Sequence, residues 1–204
     1  MTPNISQQPT VFIVDDDPAI RFAMQALMDS VNISHEIYAS GDEFLEHVDD
    51  QRPGCLVLDI RMPGLGGLEL QEELLRHGST IPIIFITGHG DVPMAVDAMQ
   101  KGAVDFIQKP FRDQDLLDRI REALKTDEER RQEQQAHAEV TERLGRLTNR
   151  EREVFDLVVT GKPNKVIAYE LGVSQRTVEI HRARVMEKMQ ARSLADLVKM
   201  HMTS

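Results

Sequence analysis

At 204 residues, with 41% hydrophobic residues, 4% aromatic residues and no tryptophan, the chain is long enough for one large globular domain or two small ones, and no uncharged apolar run approaches the roughly 20 residues that cross a bilayer. Cys55 is the single cysteine, which excludes an intramolecular disulfide, and the opening MTPNISQQPT lacks the basic stretch and apolar core of a signal peptide, so the expected compartment is the cytoplasm. The net charge of −10 argues against a nucleic-acid partner only as an average: residues 1–126 carry 10 Lys and Arg against 21 Asp and Glu, residues 127–142 carry 2 against 6, and residues 143–204 carry 12 against 7.

From residue 11 to about residue 125, short apolar runs alternate with longer amphipathic stretches, the pattern of repeated strand and helix units in a parallel sheet. Five strands are expected: VFIVD at 11–15, HEIYA at 35–39, CLVLD at 55–59, IIFIT at 83–87 and VDFIQ at 104–108. Runs such as IIFIT, with little polar alternation, suit central strands covered by helices on both faces. Ligands of such sheets bind beyond the carboxyl ends of the strands. There the sequence places Asp15, Asp16 and Asp17 after strand one, Asp59 at the end of strand three, Thr87 at the end of strand four, and Lys109 with Pro110 after strand five.

Carboxylates crowded into one pocket repel one another unless they share protons or bind a cation. Oxygen donors of this kind suit Mg2+, which keeps several waters and completes its shell with phosphate oxygens. With Lys109 and the hydroxyl of Thr87, the pocket has the parts of phosphoryl transfer: a nucleophilic carboxylate, charge neutralisation and a hydrogen-bond donor. For any one of these residues the alternative is a cap or turn role; four of them in register on successive strand ends is what points to a site. His35, His47, His77 and His89 show no metal-ligand spacing.

The segments VDDDP, LDIRMPGLGG, ITGHGD and KPF stand in an order and spacing similar to a CheY-like receiver, over residues 10–125. The resemblance implies a flavodoxin-like α/β fold, a doubly wound five-stranded parallel sheet. It implies Asp59 as phosphoacceptor, Asp16 and the backbone carbonyl of Arg61 joining Asp59 on Mg2+, and Asp15 reaching the ion through water. It implies also that Lys109 pairs with the phosphoryl group, that Thr87 swings to hydrogen-bond it, and that Phe106 is the aromatic switch residue. A buried core phenylalanine is the alternative at Phe106. His89, two residues beyond Thr87, and Arg61, two beyond Asp59, fall where receivers tune the loss of the acyl phosphate.

Across residues 126–145 the chain is polar and free of glycine until Gly145, with TDEERRQEQQAHAEVTERL continuing the last helix as a helical linker or forming a solvated tether. Residues 146–204 show four helical stretches. Thr148 and Glu151 have capping-box spacing, Gly161 ends the first helix, the second runs over about 164–171 to Gly172, Ser174 caps a third reaching about 189, and Ser193 opens a fourth. The two helices around GVS form a helix-turn-helix candidate.

In the third of these helices Val178, Val185 and Met189 form an apolar stripe, with His181 on the same side. Glu179, Ile180, Arg182 and Ala183 lie opposite, where a helix in the major groove presents side chains to base edges. Arg176, Arg184 and Lys188 add charge, and Lys165 and Thr177 are placed to meet phosphates. LTNREREV, NKVIAYELGVSQRTVEIHRARVMEKM and SLADLV resemble the LuxR-type helix-turn-helix of the NarL/FixJ subfamily of response regulators. That implies an all-α domain whose third helix reads double-stranded DNA and whose fourth mediates dimer contacts. Pro163 departs from the small polar residue often found there but is acceptable at a helix start, and Glu179 stands where basic residues are frequent.

Together the two resemblances imply a transcriptional regulator of a two-component system rather than an enzyme. Its phosphodonor would be a sensor histidine kinase, its cofactor Mg2+, and its further partners DNA, RNA polymerase and, on phosphorylation, a second copy of itself. An aspartyl-phosphate phosphatase is the rival class, but such an enzyme needs a substrate-enclosing lid and the sequence has no cap insertion between strands.

Overall fold

The computed structural model describes residues 8–47, 49, 52–88 and 92–203. His89 lies outside the described residues. The chain divides into two compact units, one reaching to Arg130 and one beginning at Arg131.

The described elements of the first unit run β1 (Thr10–Val14), α1 (Pro18–Ser30), β2 (His35–Tyr38), α2 (Gly41–His47), β3 (Gly54–Asp59), α3 (Gly67–Arg76), β4 (Ile83–Thr87), α4 (Val92–Gln100), β5 (Asp105–Gln108) and the first part of α5 (Asp113–Gly145), whose last residues from Arg131 belong to the second unit. The strands form one parallel sheet in the order β2-β1-β3-β4-β5. Each expected strand is present to within one residue. Asp15 falls just outside β1, although its N–H still donates to the Tyr38 carbonyl at 3.3 Å.

Strand alternation divides the core in two. Val11 and Ile13 of β1 and Cys55 and Val57 of β3 pack with Met24 and Met28 of α1 and with Leu116, Leu117 and Ile120 of α5. Phe12 and Val14, with Leu56 and Leu58, pack with Phe44, Leu70, Leu74 and Ala98 from α2, α3 and α4. Successive side chains point to opposite faces, so strands apolar at every position demand helices on both sides.

α5 continues as helix to Gly145. Asp127, in the segment expected to be linker, is buried; its carboxylate accepts the Gly54 N–H at 2.9 Å and pairs with Arg130.

The second unit contains α6 (Asn149–Val159), α7 (Asn164–Leu171), α8 (Gln175–Lys188) and α9 (Leu194–Thr203). Val178, Val185 and Met189 are fully buried with Val154, Phe155, Ile167 and Leu197, as the apolar stripe requires. Both capping-box bonds at Thr148 and Glu151 are present, and Gly172 closes α7 in the left-handed conformation at φ 65°. Ser174 caps α8 by accepting the Thr177 N–H at 3.1 Å.

Glu151 is a buried carboxylate held from two elements. One oxygen accepts the Thr148 N–H at 2.8 Å and the Lys188 ammonium at 2.6 Å. These bonds hold its carboxyl down at about 2, the Lys188 hydrogen bond contributing most. A depressed folded-state value stabilises the fold above the ordinary carboxylate range and loses that stability as pH falls toward the depressed value. Glu151→Ala should therefore cost about 1–2 kcal/mol at pH 7, read as faster hydrogen exchange of the α6 and α8 amides in the full chain. The difference from the native chain should shrink as pH falls from about 4.5 toward 2.

Candidate functional site

The carboxyl ends of β1, β3, β4 and β5 bring Asp15, Asp59, Thr87 and Lys109 to one edge of the sheet. Lys109 is the centre of the group: its ammonium donates to Asp59 Oδ1 at 2.6 Å and to Asp15 Oδ2 at 3.0 Å. The remaining oxygens are also engaged. Asp15 Oδ1 accepts the Asp17 N–H and Asp59 Oδ2 the Arg61 N–H, each at 2.8 Å. Asp15 and Asp59 are buried while the Lys109 side chain keeps 27% of its surface exposed, so the cluster opens to solvent on one side.

Burial pushes the Asp15 carboxyl above its usual range, against the pull of the Asp17 N–H and the Lys109 ammonium. Burial pulls the Lys109 ammonium the opposite way, but its hydrogen bonds to Asp59 and Asp15 prevail and hold it above its ordinary value. The Lys109 N–H donates to the Thr87 carbonyl at 2.7 Å, which locks β5 beside β4 at the site. The Thr87 hydroxyl is buried and, among the described residues, has no hydrogen-bond partner. An unmet buried hydroxyl is costly, and here it stands on the strand beside Asp59, whose partner in the ladder is Ile86.

The three consecutive aspartates have different surroundings. Asp15 is in the cluster, Asp16 is exposed, and Asp17 is the N-cap of α1, accepting the Ala19 N–H at 2.8 Å ahead of Pro18. Phe106 is half-buried against the core face formed with α2, α3 and α4. Among the described residues no three His, Cys, Asp or Glu side chains converge as a metal cage. The donor chemistry nevertheless fits a hard divalent ion: two buried carboxylates already direct one oxygen each at a shared cation, the Lys109 ammonium, and Asp16 stands at the solvent side.

In the second unit Arg176, Glu179, Ile180 and Ala183 follow the i, i+3, i+4, i+7 spacing of one helical face and are all exposed on α8, as is Arg184. Lys165 is exposed near the start of α7. Thr177 is half-buried, its hydroxyl 2.8 Å from that of Ser174. Arg182 is half-buried and donates to Asn164 Oδ1 at 3.0 Å, tying α8 to the first residue of α7. Lys188 is held by Glu151 and by the Arg146 carbonyl at 3.1 Å.

Comparison with known proteins follows the same division. Residues 11–121 match the response regulator receiver domain, and residues 145–201 match the bacterial regulatory proteins of the luxR family. The chain belongs to the response regulators with a LuxR-type DNA-binding domain. It is 48% identical over 198 residues to nodulation protein W of Bradyrhizobium diazoefficiens, covering 97% of this chain and 87% of that one. It is 44% identical over 190 residues to the transcriptional regulatory protein FixJ of Azorhizobium caulinodans, covering 93% and 90%. Among solved structures, the response regulator StyR superposes with a TM-score of 0.89 at 44% identity over 97% of this chain and 100% of that one.

This response regulator is thus a transcription regulator and not an enzyme, and phosphorylation-dependent regulation is the mechanism of its family. A receiver with a LuxR-type helix-turn-helix implies a kinase partner and DNA binding, and receivers typically bind Mg2+ for phosphorylation. Among the described residues no helix is long and apolar enough to cross a membrane.

Sequence reasoning missed two supports of the site. Asn164 carries no periodic signal, since its partner Arg182 lies on another helix. Gly67, the last residue of LDIRMPGLGG, carries no periodic signal either. A Cβ there would lie 2.3 Å from the Asp59 carbonyl oxygen and 3.0 Å from Ile60 Cα, so only glycine lets α3 start against the backbone at the end of β3. Gly67→Ala should destabilise the receiver by about 2–3 kcal/mol, measured as loss of hydrogen-exchange protection at the β3 and β4 amides. Protection equal to the native chain would mean that α3 moves away freely.

Proposed function

We propose that Asp59 is the residue that takes the phosphoryl group from a sensor histidine kinase, and that the LuxR-type half then binds DNA as a dimer. The observation that carries the reading is the Lys109 ammonium bridging Asp15 and Asp59 beside the unmet hydroxyl of Thr87. A carboxylate oxygen of Asp59 attacks phosphorus, the bond from phosphorus to the kinase imidazole nitrogen breaks, and the imidazole leaves with the nitrogen electron pair. Lys109 then follows the charge from the carboxylate to the phosphoryl oxygens, and the Thr87 hydroxyl donates to one of them. Asp15, Asp16, Asp59 and the Arg61 carbonyl would hold Mg2+, which when bound neutralises charge on the phosphoryl oxygens. Phe106, half-buried, turns inward as Thr87 moves.

On the basic half, Glu179, Ile180, Arg182 and Ala183 face base edges, with Arg182 oriented by Asn164. Lys165, Arg176, Thr177 and Arg184 meet phosphates. Lys188 adds to the positive field from its place on Glu151. The working boundaries are a receiver over 10–125, a helical linker over 126–145 and a DNA-binding domain over 146–204. A receiver at net −11 and a DNA-binding domain at net +4 attract each other. That attraction lets the receiver inhibit DNA binding; phosphorylation relieves the inhibition and favours a homodimer, raising avidity on paired half-sites. The compartment is the cytoplasm, where RNA polymerase is the downstream partner.

Asp59→Asn should abolish labelling by a phosphorylated kinase or by a small-molecule phosphodonor with Mg2+, because the amide lacks the nucleophilic charge. Normal labelling of that variant would remove Asp59 from the mechanism. On DNA, Lys165→Ala should weaken binding to all sequences alike and lower the salt slope by about one unit, one phosphate contact releasing about one counterion. Ile180→Ala should instead cost about 1 kcal/mol on the specific site alone. Equal losses on specific and random duplexes would make Ile180 irrelevant to base reading.

A further inference from the structure

α8 exposes Arg176, Glu179, Ile180, Ala183 and Arg184, and one of these carries the wrong sign for a helix that meets a polyanion. Glu179 is exposed, and among the described residues no hydrogen bond or ion pair engages its carboxylate.

The helix itself offers partners. Arg176 stands three residues before Glu179 and Arg182 three after, both at a spacing that lets a carboxylate and a guanidinium meet on one helix face. Arg182 turns instead to Asn164 Oδ1 at 3.0 Å, and Arg176 makes no ion pair among the described residues. Ala183, one turn further along the same side, has only a methyl group and leaves the space in front of Glu179 open. The charge of the carboxylate is thus uncompensated within the protein.

Position along the helix matters as well. In helix-turn-helix domains the N-terminal part of the reading helix meets base edges. Glu179 is the fifth residue of α8, whereas Glu187, the other acid of this helix, is the last but one.

A carboxylate only accepts hydrogen bonds, and in the major groove it is repelled by phosphate oxygens, by guanine N7 and O6 and by thymine O4. Adenine sets its N6 amine beside the N7 acceptor, so what one carboxylate oxygen gains the other loses. Cytosine offers its N4 amine and places no acceptor of its own in that groove. It is the base edge on which Glu179 makes a hydrogen bond without meeting a lone pair of the same base.

We propose, on the reading that α8 lies in the major groove, that Glu179 is a specificity-determining residue that accepts a hydrogen bond from the N4 amine of a cytosine in each half-site. Its charge lowers affinity for DNA at large and the contact restores it only where cytosine stands, so Glu179 acts as a filter against other sequences.

The test presents a duplex library with a randomised segment to the full chain, treated with a small-molecule phosphodonor and Mg2+, and sequences the bound fraction for the native protein, Glu179→Ala and Ile180→Ala. The native chain should select cytosine over the other bases by about tenfold at one position of each half-site. Glu179→Ala should lose the preference at that position alone and bind unselected duplex more tightly than the native chain, a repulsive charge having gone. A duplex carrying 2-pyrimidinone, which is cytosine without its amine, at the selected position should weaken the native chain about tenfold relative to Glu179→Ala. A profile unchanged by Glu179→Ala, selection of any base other than cytosine at the position it controls, weaker binding of unselected duplex by that variant, or equal losses of the two proteins on the 2-pyrimidinone duplex would each overturn the proposal. If Ile180→Ala changes the profile while Glu179→Ala does not, the reading helix stands and the cytosine contact falls. If neither changes it, or no sequence is selected, the placement of α8 in the groove falls with it.

Discussion

One ammonium between two buried carboxylates sets the terms for the receiver half. Lys109 Nζ lies within hydrogen-bond distance of both Asp15 and Asp59. Without it, two acidic side chains on neighbouring strand ends would be left uncompensated, at a cost of several kcal/mol per buried charge. The ammonium can be delivered there only if β5 ends level with β4, β4 with β3, and β3 with β1. The parallel register, the pairing of Thr87 with Gln108, and the bond from the Lys109 N–H to the Thr87 carbonyl accomplish this. Burial and charge thus press on the same few atoms.

The DNA-binding half rests on a different constraint. Its helices are short, and caps and cross-helix bonds tie them together alongside the apolar core. Glu151 joins the start of α6 to the end of α8 through Lys188, and Asn164 joins the start of α7 to the middle of α8 through Arg182. The exposed face of α8 is therefore presented by a helix held at two points.

Strand positions were legible in the sequence because apolar runs four to six residues long, interrupted by turn residues, admit few other structures. The strand-end residues were legible because order along the chain maps onto order along one sheet edge. Partner choice was not legible. Asp15 and Asp17 are both aspartates after the same strand, yet one enters the charged cluster and the other caps a helix, and periodicity does not distinguish them. The same holds for Lys188, which reads as one more base on a basic helix until Glu151 is seen beside it, and for Asp127, whose polar surroundings in the sequence conceal its burial against Gly54. Gly67 needed the third dimension altogether, since what forbids a side chain there is the backbone of a strand eight residues earlier.

The measurement that bears most directly on this account is the location of the phosphoryl group. The full chain would be labelled with a small-molecule phosphodonor and Mg2+, the acyl phosphate reduced with borohydride, and the peptides sequenced by mass spectrometry. The account predicts conversion of Asp59 alone. Conversion at Asp15 or Asp16, with Asp59 left intact, would contradict it.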